Sequence, residues 1–416
     1  MTTAIIITLC VLLLLAYVFD LTSGRTKIPS VILLLILGFG ARYLAQLLEL
    51  TMPDLTPLLP IFGTIGLILI VLEGSLELEF NKSKAPLIRK SFITSLLPMI
   101  ALAFLLSFLF QYFAGSTFKN GLINAVPFCI VSSAIAIPSV KSLITFDKEF
   151  IIYESSLSDI LGVLFFNFVS VNNNIGLHSL GNFGLELIVI TIVSFVATIG
   201  LAFLLNKIDH HIKFVPIILL IILIYSISKI YHLPALVFIL LFGLFLGNLD
   251  EMKHNKWIKK LKPETLDTEV QKFKELTIEG AFLVRAIFFL LFGYLIQPAE
   301  ILNTGTLIWA IVIVAAIFLF RAVQLKLSKL PFLPLLFIAP RGLITILLFL
   351  AIEPNQNIPI VNKSLIIQVI VLTSLVMMVG LMRNKNASEE LVPNTLADDH
   401  QSAFPESIKN ESNRQA

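Results

Sequence analysis

Ile338-Ala339-Pro340-Arg341-Gly342-Leu343-Ile344 brings a proline, an arginine and a glycine together inside an apolar run at 332–352. Proline has no backbone N–H to donate and clashes with the carbonyl four residues back. An arginine at such depth is costly unless it faces a partner or a cavity. Together they mark an interrupted helix. A second, weaker interruption is readable at Val131-Ser132-Ser133-Ala134-Ile135-Ala136-Ile137-Pro138-Ser139-Val140, where the serines can satisfy backbone groups that Pro138 frees. A simple proline kink is the plainer alternative there.

The rest of the chain identifies the medium around these stretches. Its 416 residues are 57% hydrophobic and only 14% charged, with a mean hydropathy of +0.93. Soluble domains are about half apolar and about one quarter charged, so a soluble enzyme is excluded. A net charge of +3 gives no reason to expect nucleic acid as a partner. Cys10 and Cys129 both lie in apolar runs, which supports neither a disulfide framework nor a metal cluster. No glycine-rich phosphate loop is present, and no cofactor is expected.

Apolar runs of about the length that crosses a bilayer, the second and ninth of them short, fall at 3–19, 28–41, 57–76, 91–112, 120–140, 150–171, 183–205, 214–230, 233–248, 277–297, 305–325, 332–352 and 364–382. These thirteen spans predict an all-α polytopic membrane protein. The eighth and ninth meet at Tyr231-His232-Leu233-Pro234, where one kinked span is the other reading. With the N-terminus outside, the inside loops and the start of the tail hold 21 of the 30 Lys and Arg residues, and the outside loops, with Lys229 at the outer end of the eighth span, hold 4. This bias predicts an outside N-terminus and a cytoplasmic C-terminus. The loop 249–275 carries Lys256-Trp257-Ile258-Lys259-Lys260, suited to the membrane interface. Residues 384–416 read as a short disordered cytoplasmic tail.

The two interrupted spans are the fifth and the twelfth. Seven is odd, so they run in opposite directions through the membrane. Interrupted segments at matching places in oppositely oriented halves point to an inverted-repeat transporter with a midplane site. Spans 1–6 and 8–13 form the repeats.

Few ionisable residues lie deep within the spans: Glu73, Glu154, Asp159, Glu279, Arg285, Arg321 and Arg341. Span 6 reads Tyr153-Glu154-Ser155-Ser156-Leu157-Ser158-Asp159. Ser155 and Asp159 are one helical turn apart on one face, while Glu154 and Ser158 share another. Glu154 and Asp159 point about 140° apart, which argues against a dyad sharing one proton. With arginines available in other spans, one carboxylate can be paired and the other left free. A free carboxylate in such a place is neutralised by a proton or by a cation in turn. Structural ion pairing of both acids is the bland alternative.

These residues resemble the monovalent cation:proton antiporter superfamily, specifically the sodium/hydrogen exchanger family, over nearly all of 1–383. Glu154-Ser155-Ser156-Leu157-Ser158-Asp159 is similar to the family's Glu-x-x-x-Asn-Asp, whose last aspartate binds cation and proton alternately. Leu72-Glu73-Gly74 is similar to its Phe-Glu-Gly, and Phe288-Phe289-Leu290-Leu291-Phe292-Gly293 to its Phe-Phe-x-x-x-Gly. Phe320-Arg321 resembles the arginine-bearing span 11, and Pro340-Arg341-Gly342 its Arg-Gly crossover. The resemblance implies a core bundle at about 91–171 and 305–383 working against a dimerisation scaffold at about 1–76 and 183–297. It implies a Glu154–Arg321 ion pair, Asp159 as the carrier of a transported Na+ or K+, and Ala136, Ile137, Pro138, Arg341 and Gly342 on the crossing half-helices. There the arginine would offset the helix dipole ends.

Two departures stand out. The family's Thr-Asp-Pro appears here as Ala136-Ile137-Pro138, and the asparagine before the key aspartate is Ser158. Ser132, Ser133 and Ser155 are the hydroxyls available as replacement oxygens, and Asp159, Ser155 and Ser158 are the expected cation- and proton-binding residues; serines at Ser132 and Ser133 more commonly bond back to a helical carbonyl. One free carboxylate implies electroneutral exchange. The expectation is therefore an inner-membrane, homodimeric secondary antiporter exchanging Na+ or K+ for H+. A sodium-coupled organic-anion symporter, a potassium-efflux transporter and a non-transporting sensor are the rival classes.

Overall fold

Without water in the bilayer core, backbone N–H and C=O groups must find partners within the protein, and a chain this apolar meets that demand with helices. A computed structural model describes residues 2–26, 28–47, 54–78, 83–140, 143–172, 177–207, 214–231, 235–249 and 263–390, with Glu49 and Leu233. Among the described residues there is no strand.

The helices are α1 (Thr2–Thr26), α2 (Ser30–Leu47), α3 (Leu58–Glu77), α4 (Ala85–Ala114), α5 (Phe118–Cys129), α6 (Ser133–Ser139), α7 (Thr145–Val171) and α8 (Leu177–Lys207). They continue with α9 (Phe214–Ile230), α10 (Leu236–Gly247), α11 (Pro263–Leu295), α12 (Pro298–Ile301), α13 (Thr304–Leu327), α14 (Leu343–Leu350) and α15 (Lys363–Glu390). By length and composition, nine described helical stretches can cross a membrane, with α5 and α6 forming one of them, and α9 and α10 are shorter apolar helices. Helix α7 is missing from those nine because Glu154, Asp159 and its serines dilute its hydropathy. The stretch 332–352 is missing because it is broken into a 3-10 turn at Leu335–Phe337 and α14. Each of the thirteen apolar runs thus has a helical counterpart.

Several boundaries differ from the expectation. Helix α11 begins at Pro263 rather than near 277, since proline suits a first helical turn and a polar helix end can run past the bilayer. Helix α15 continues to Glu390, so residues 384–390 are helical rather than disordered. Residues 391–416 and Lys256-Trp257-Ile258-Lys259-Lys260 lie outside the described residues. Helices α9 and α10 are separate, with Tyr231 and Leu233 in the short connection. His232 and Pro234 lie outside the described residues.

Two packed sets of helices emerge. Helices α2, α3, α8, α10 and α11 pack on one another, as do α4, α5, α6, α7, α13 and α15. Helix α3 lies between them and touches α6, α7 and α14. Apolar side chains on the outer helices remain open, such as Leu14, Phe195 and Ile308 at 66%, 64% and 69% exposure, as a lipid-facing surface requires.

Close helix approach in a membrane depends on small residues, because lipid supplies no hydrophobic drive. Helices α2 and α11 use glycine reciprocally. A Cβ on Gly38 would lie 2.2 Å from the Leu290 carbonyl oxygen, and one on Gly293 would lie 2.4 Å from that of Leu35. Gly293 of the Phe-Phe-x-x-x-Gly run is therefore a backbone contact point. Helix α3 meets its neighbours similarly: a Cβ on Gly63 would strike Leu347 at 2.2 Å, and one on Gly74 would lie 3.0 Å from the Ser156 hydroxyl. Gly38→Val and Gly293→Val are each expected to cost about 1–3 kcal/mol of stability by overpacking. Gly40→Ala, at a glycine with no atom within 4 Å of the added Cβ, should be neutral. Thermal unfolding of the purified variants checks this contrast.

Candidate functional site

The site begins with two helix breaks that face each other. The first runs over Ile130–Ser132, between α5 and α6, and the second over Ile338–Gly342, between the 3-10 turn and α14. Each break exposes backbone groups that water cannot reach. Ser132 N–H donates to the Pro340 carbonyl at 2.9 Å, joining the two breaks directly. Val131 N–H donates to the Ser158 hydroxyl on α7 at 3.0 Å. Arg341 N–H donates to Thr373 Oγ1 at 3.1 Å.

The Arg341 side chain serves the freed carbonyls. Its Nε donates to Phe128 O in the last turn of α5, and its Nη1 donates to Ala339 O at 2.9 Å. A cation at the C-terminal end of a helix also complements the dipole. Gly342 is required by crowding: an added Cβ would lie 2.7 Å from both Ser132 Oγ and Ile135 Cδ1.

The first break falls before the Ala136-Ile137-Pro138 tripeptide. Those residues lie inside the short helix α6, with Ala136 and Pro138 buried. The break itself is formed by Ile130, Val131 and Ser132, and Ser133 follows at the start of α6. Ser133 reaches the key acid: Asp159 Oδ2 accepts from Ser133 N–H at 3.2 Å and from the Ser133 hydroxyl. Asp159 is 2% exposed, and its Oδ1 is buried without a hydrogen-bond partner among the described residues. Ser132 Oγ and Thr345 Oγ1 are likewise buried without partners.

The other sequence-derived candidates take more local roles. Ser155 donates its hydroxyl proton to Ile151 O at 2.7 Å, the back-bonded use of a helical serine, and has no hydrogen bond to Asp159. Ser158 is committed to the Val131 N–H. Neither is brought to the Asp159 carboxylate as a partner. Ser133, for which back-bonding was the expected use, is brought there; its place at the start of a half-helix is the one sequence signal that separates it from its neighbours.

Glu154 faces elsewhere, as the angle between the acids requires. Its Oε1 accepts from Arg321 Nη1 and, at 2.8 Å, from Gln324 Nε2. Arg321 Nε donates to Leu335 O at 3.1 Å, in the 3-10 turn preceding the second break. The pair thus ties α7 to α13 and to the base of the break, with Glu154 and Arg321 at 1% and 4% exposure. Gln324 had no signal in the sequence beyond lying three residues after Arg321. Among the described residues, no group of His, Cys, Asp and Glu is arranged to hold a resident metal.

Comparison with known proteins decides what this arrangement belongs to. Residues 10–383 match the family "Sodium/hydrogen exchanger, transmembrane". The chain belongs to the sodium/hydrogen exchanger family. It is accordingly a multi-pass membrane transporter of the cation:proton antiport class and not an enzyme. No curated protein matches the chain. Among solved structures, the sodium proton antiporter MjNhaP1 from Methanocaldococcus jannaschii, determined at pH 8, shares the fold with TM-score 0.64 and 17% identity, over 91% of this chain and 96% of that one. An electron-microscopy structure of the same antiporter gives TM-score 0.64 and 18% identity, over 96% of this chain and 99% of that one.

Two predictions follow from this exchanger's geometry. Removing one member of a buried ion pair leaves the other charge uncompensated. Arg321→Ala or Glu154→Ala should therefore cost about 3–5 kcal/mol of stability. The exchanged pair Glu154→Arg with Arg321→Glu should recover part of that loss, as measured by thermal unfolding.

The second concerns Asp147, which lies in the first turn of α7 beyond the apolar run. It is buried, and its Oδ1 has no partner among the described residues. Burial pushes its carboxyl above the ordinary aspartate value. The folded state then holds this proton more tightly than the unfolded chain, so stability falls as pH rises through the folded value. Relative to Asp147→Asn, the wild type should gain thermal stability as the pH falls from neutral towards the ordinary aspartate value of about 4. Parallel melting curves across that range measure the difference.

Proposed function

We propose that this protein exchanges a monovalent cation, Na+ or K+, for H+ by alternating access, electroneutrally, in the inner membrane. The observation that carries the reading is the Asp159 carboxylate at the crossing of the two breaks. One oxygen is held by Ser133 and the other is buried without a partner. A carboxylate so enclosed needs neutralisation, and a proton and a hard monovalent cation are alternative ways to supply it. Carboxylate and hydroxyl oxygens suit such cations. Arg321 is occupied by Glu154, which leaves Asp159 as the exchangeable carboxylate of α7 and favours one-for-one stoichiometry.

In this reading α4–α7 and α13–α15, the regions 91–171 and 305–383, travel as one bundle carrying Asp159. Regions 1–76 and 183–297 form the stationary scaffold and the homodimer contact. The basic loops set the N-terminus outside and the C-terminus in the cytoplasm. Charge distribution and the antiporter fold both support this arrangement. Ser133 holds Asp159 in register, while Ser158 and Arg341 keep the crossing intact.

Reconstituted vesicles with an imposed pH gradient test the proposal. Addition of Na+ or K+ should dissipate the gradient without a change in membrane potential, and Asp159→Asn should abolish this at normal protein levels. Ser133→Ala should retain exchange at a several-fold higher half-saturating cation concentration. Undiminished exchange by Asp159→Asn would overturn the assignment. Cation movement without any change of internal pH would favour a symporter.

A further inference from the structure

Two neighbouring helices of the core bundle, α4 and α13, turn apolar stripes outward, and both stripes end in cations. On α4, Arg89, Ile93 and Leu97 follow one another at helical spacing, and Lys90 lies two turns from Leu97; all four are exposed. On α13, exposed Lys326 shares a face with exposed Leu319 and Val323. Lys329 follows just after α13 ends, and Leu327, Phe332 and Leu333 around it are exposed as well.

Ring contacts at the opposite end fix the depth of these charges. Trp309, near the start of α13, meets Phe110 and Phe113, near the end of α4, with centroids 5.6 and 5.9 Å apart. The two helices are therefore antiparallel. From Phe110 to Lys90, and from Trp309 to Lys326, the helices run about 25–30 Å at 1.5 Å per residue. The hydrocarbon core of a bilayer is about 30 Å thick. With the rings at one interface, where tryptophan is favoured, the cations reach the headgroups of the other. That side is the cytoplasmic one in the orientation proposed above.

No carboxylate balances them. The sequence has no Asp or Glu from Ala85 to Phe146, nor from Thr304 to Ile352. Lys84, just before α4, is paired with Glu149 at 3.2 Å, whereas Arg89, Lys90, Lys326 and Lys329 form no ion pair among the described residues. Loop charge can orient a membrane protein from anywhere in a loop, and that role does not require cations at the ends of lipid-facing stripes.

The surroundings select the occupant. A soluble anion would meet the charges and leave Leu327, Phe332 and Leu333 in water. A phospholipid satisfies both, with its phosphate on the cations and its chains along Ile93, Leu97, Leu319 and Val323. Long Lys and Arg stems can lie on apolar surface and hold their charge at headgroup level. A headgroup carrying an amine would bring a further cation to four uncompensated ones, so a net negative headgroup is favoured. We propose that the cation-tipped ends of α4 and α13 form a binding surface for an anionic phospholipid. The lipid would hold the segment that leads into the second break, since Leu335 O of that segment accepts from Arg321 Nε. The inference is independent of the role assigned to Asp159.

Native mass spectrometry of the full chain, released from detergent containing phosphatidylglycerol or phosphatidylcholine, tests the surface. The wild type should retain phosphatidylglycerol at a several-fold lower half-saturating concentration than phosphatidylcholine. R89Q/K90Q/K326Q/K329Q should lose that preference and bind phosphatidylcholine as before, while K90R/K326R/K329R, which keeps every charge, should retain it. Added salt should weaken phosphatidylglycerol retention in the wild type more than in the fourfold glutamine variant. Glycerol phosphate, a headgroup without chains, should leave the bound lipid in place at equal concentration. Equal retention of the two lipids by the wild type, a measurement that needs no variant, would overturn the proposal. So would an unaltered preference in the glutamine variant, or displacement of the lipid by glycerol phosphate.

Discussion

Two helices broken inside a membrane leave backbone groups that lipid cannot satisfy, and the architecture of this exchanger turns on how those groups are paired. An unsatisfied group costs several kcal/mol in hydrocarbon, so neither break is viable alone. Each supplies the other: Ser132 N–H meets Pro340 O, and Arg341 reaches back to Phe128 O. The rest of the bundle then closes around the crossing. Helix α7 contributes Ser158 to one break, α15 contributes Thr373 to the other, and α13 secures the approach to the second through Arg321 and Leu335 O.

The same constraint gives Asp159 its surroundings. The polar atoms concentrated at the crossing are there to satisfy main chain, and the carboxylate lies among them with one oxygen on Ser133. Stability and chemistry draw on one set of groups. Ser158, adjacent to Asp159 in sequence, serves the backbone, while the acid beside it has an oxygen to spare. Glu154, on another face of the same helix, is a fastening between helices. One turn and a half of α7 thus carries two acids with different roles, separated by helical geometry alone.

The spans were legible in sequence because hydropathy measures what a bilayer selects. The crossing was legible as a pairing of Pro340-Arg341-Gly342 with a polar stretch in span 5. The exact break in span 5 was not. Pro138 drew attention, yet it sits near the end of α6, whereas the opening at Ile130–Ser132 is maintained by Pro340, Ser158 and Asp159 from distant segments. Local chemistry cannot reveal a break whose partners are far away in sequence. Helix ends were missed for a related reason, since Pro263 and Glu390 lie in polar continuations that hydropathy ignores. Ser133 and Gln324 became recognisable only once two helices faced each other.

The glycines of α3 carry a mechanical consequence. Gly63 and Gly74 meet Leu347 and Ser156, on the α14 and α7 side, without side chains of their own. Helices ordinarily interlock by setting ridges into grooves, and shifting such a contact requires lifting one out of the other. At Gly63 the groove lies on α3 itself and the Leu347 side chain fills it, so the spacing there is set by the neighbour's side chain alone, and a single methyl added to α3 would part the helices.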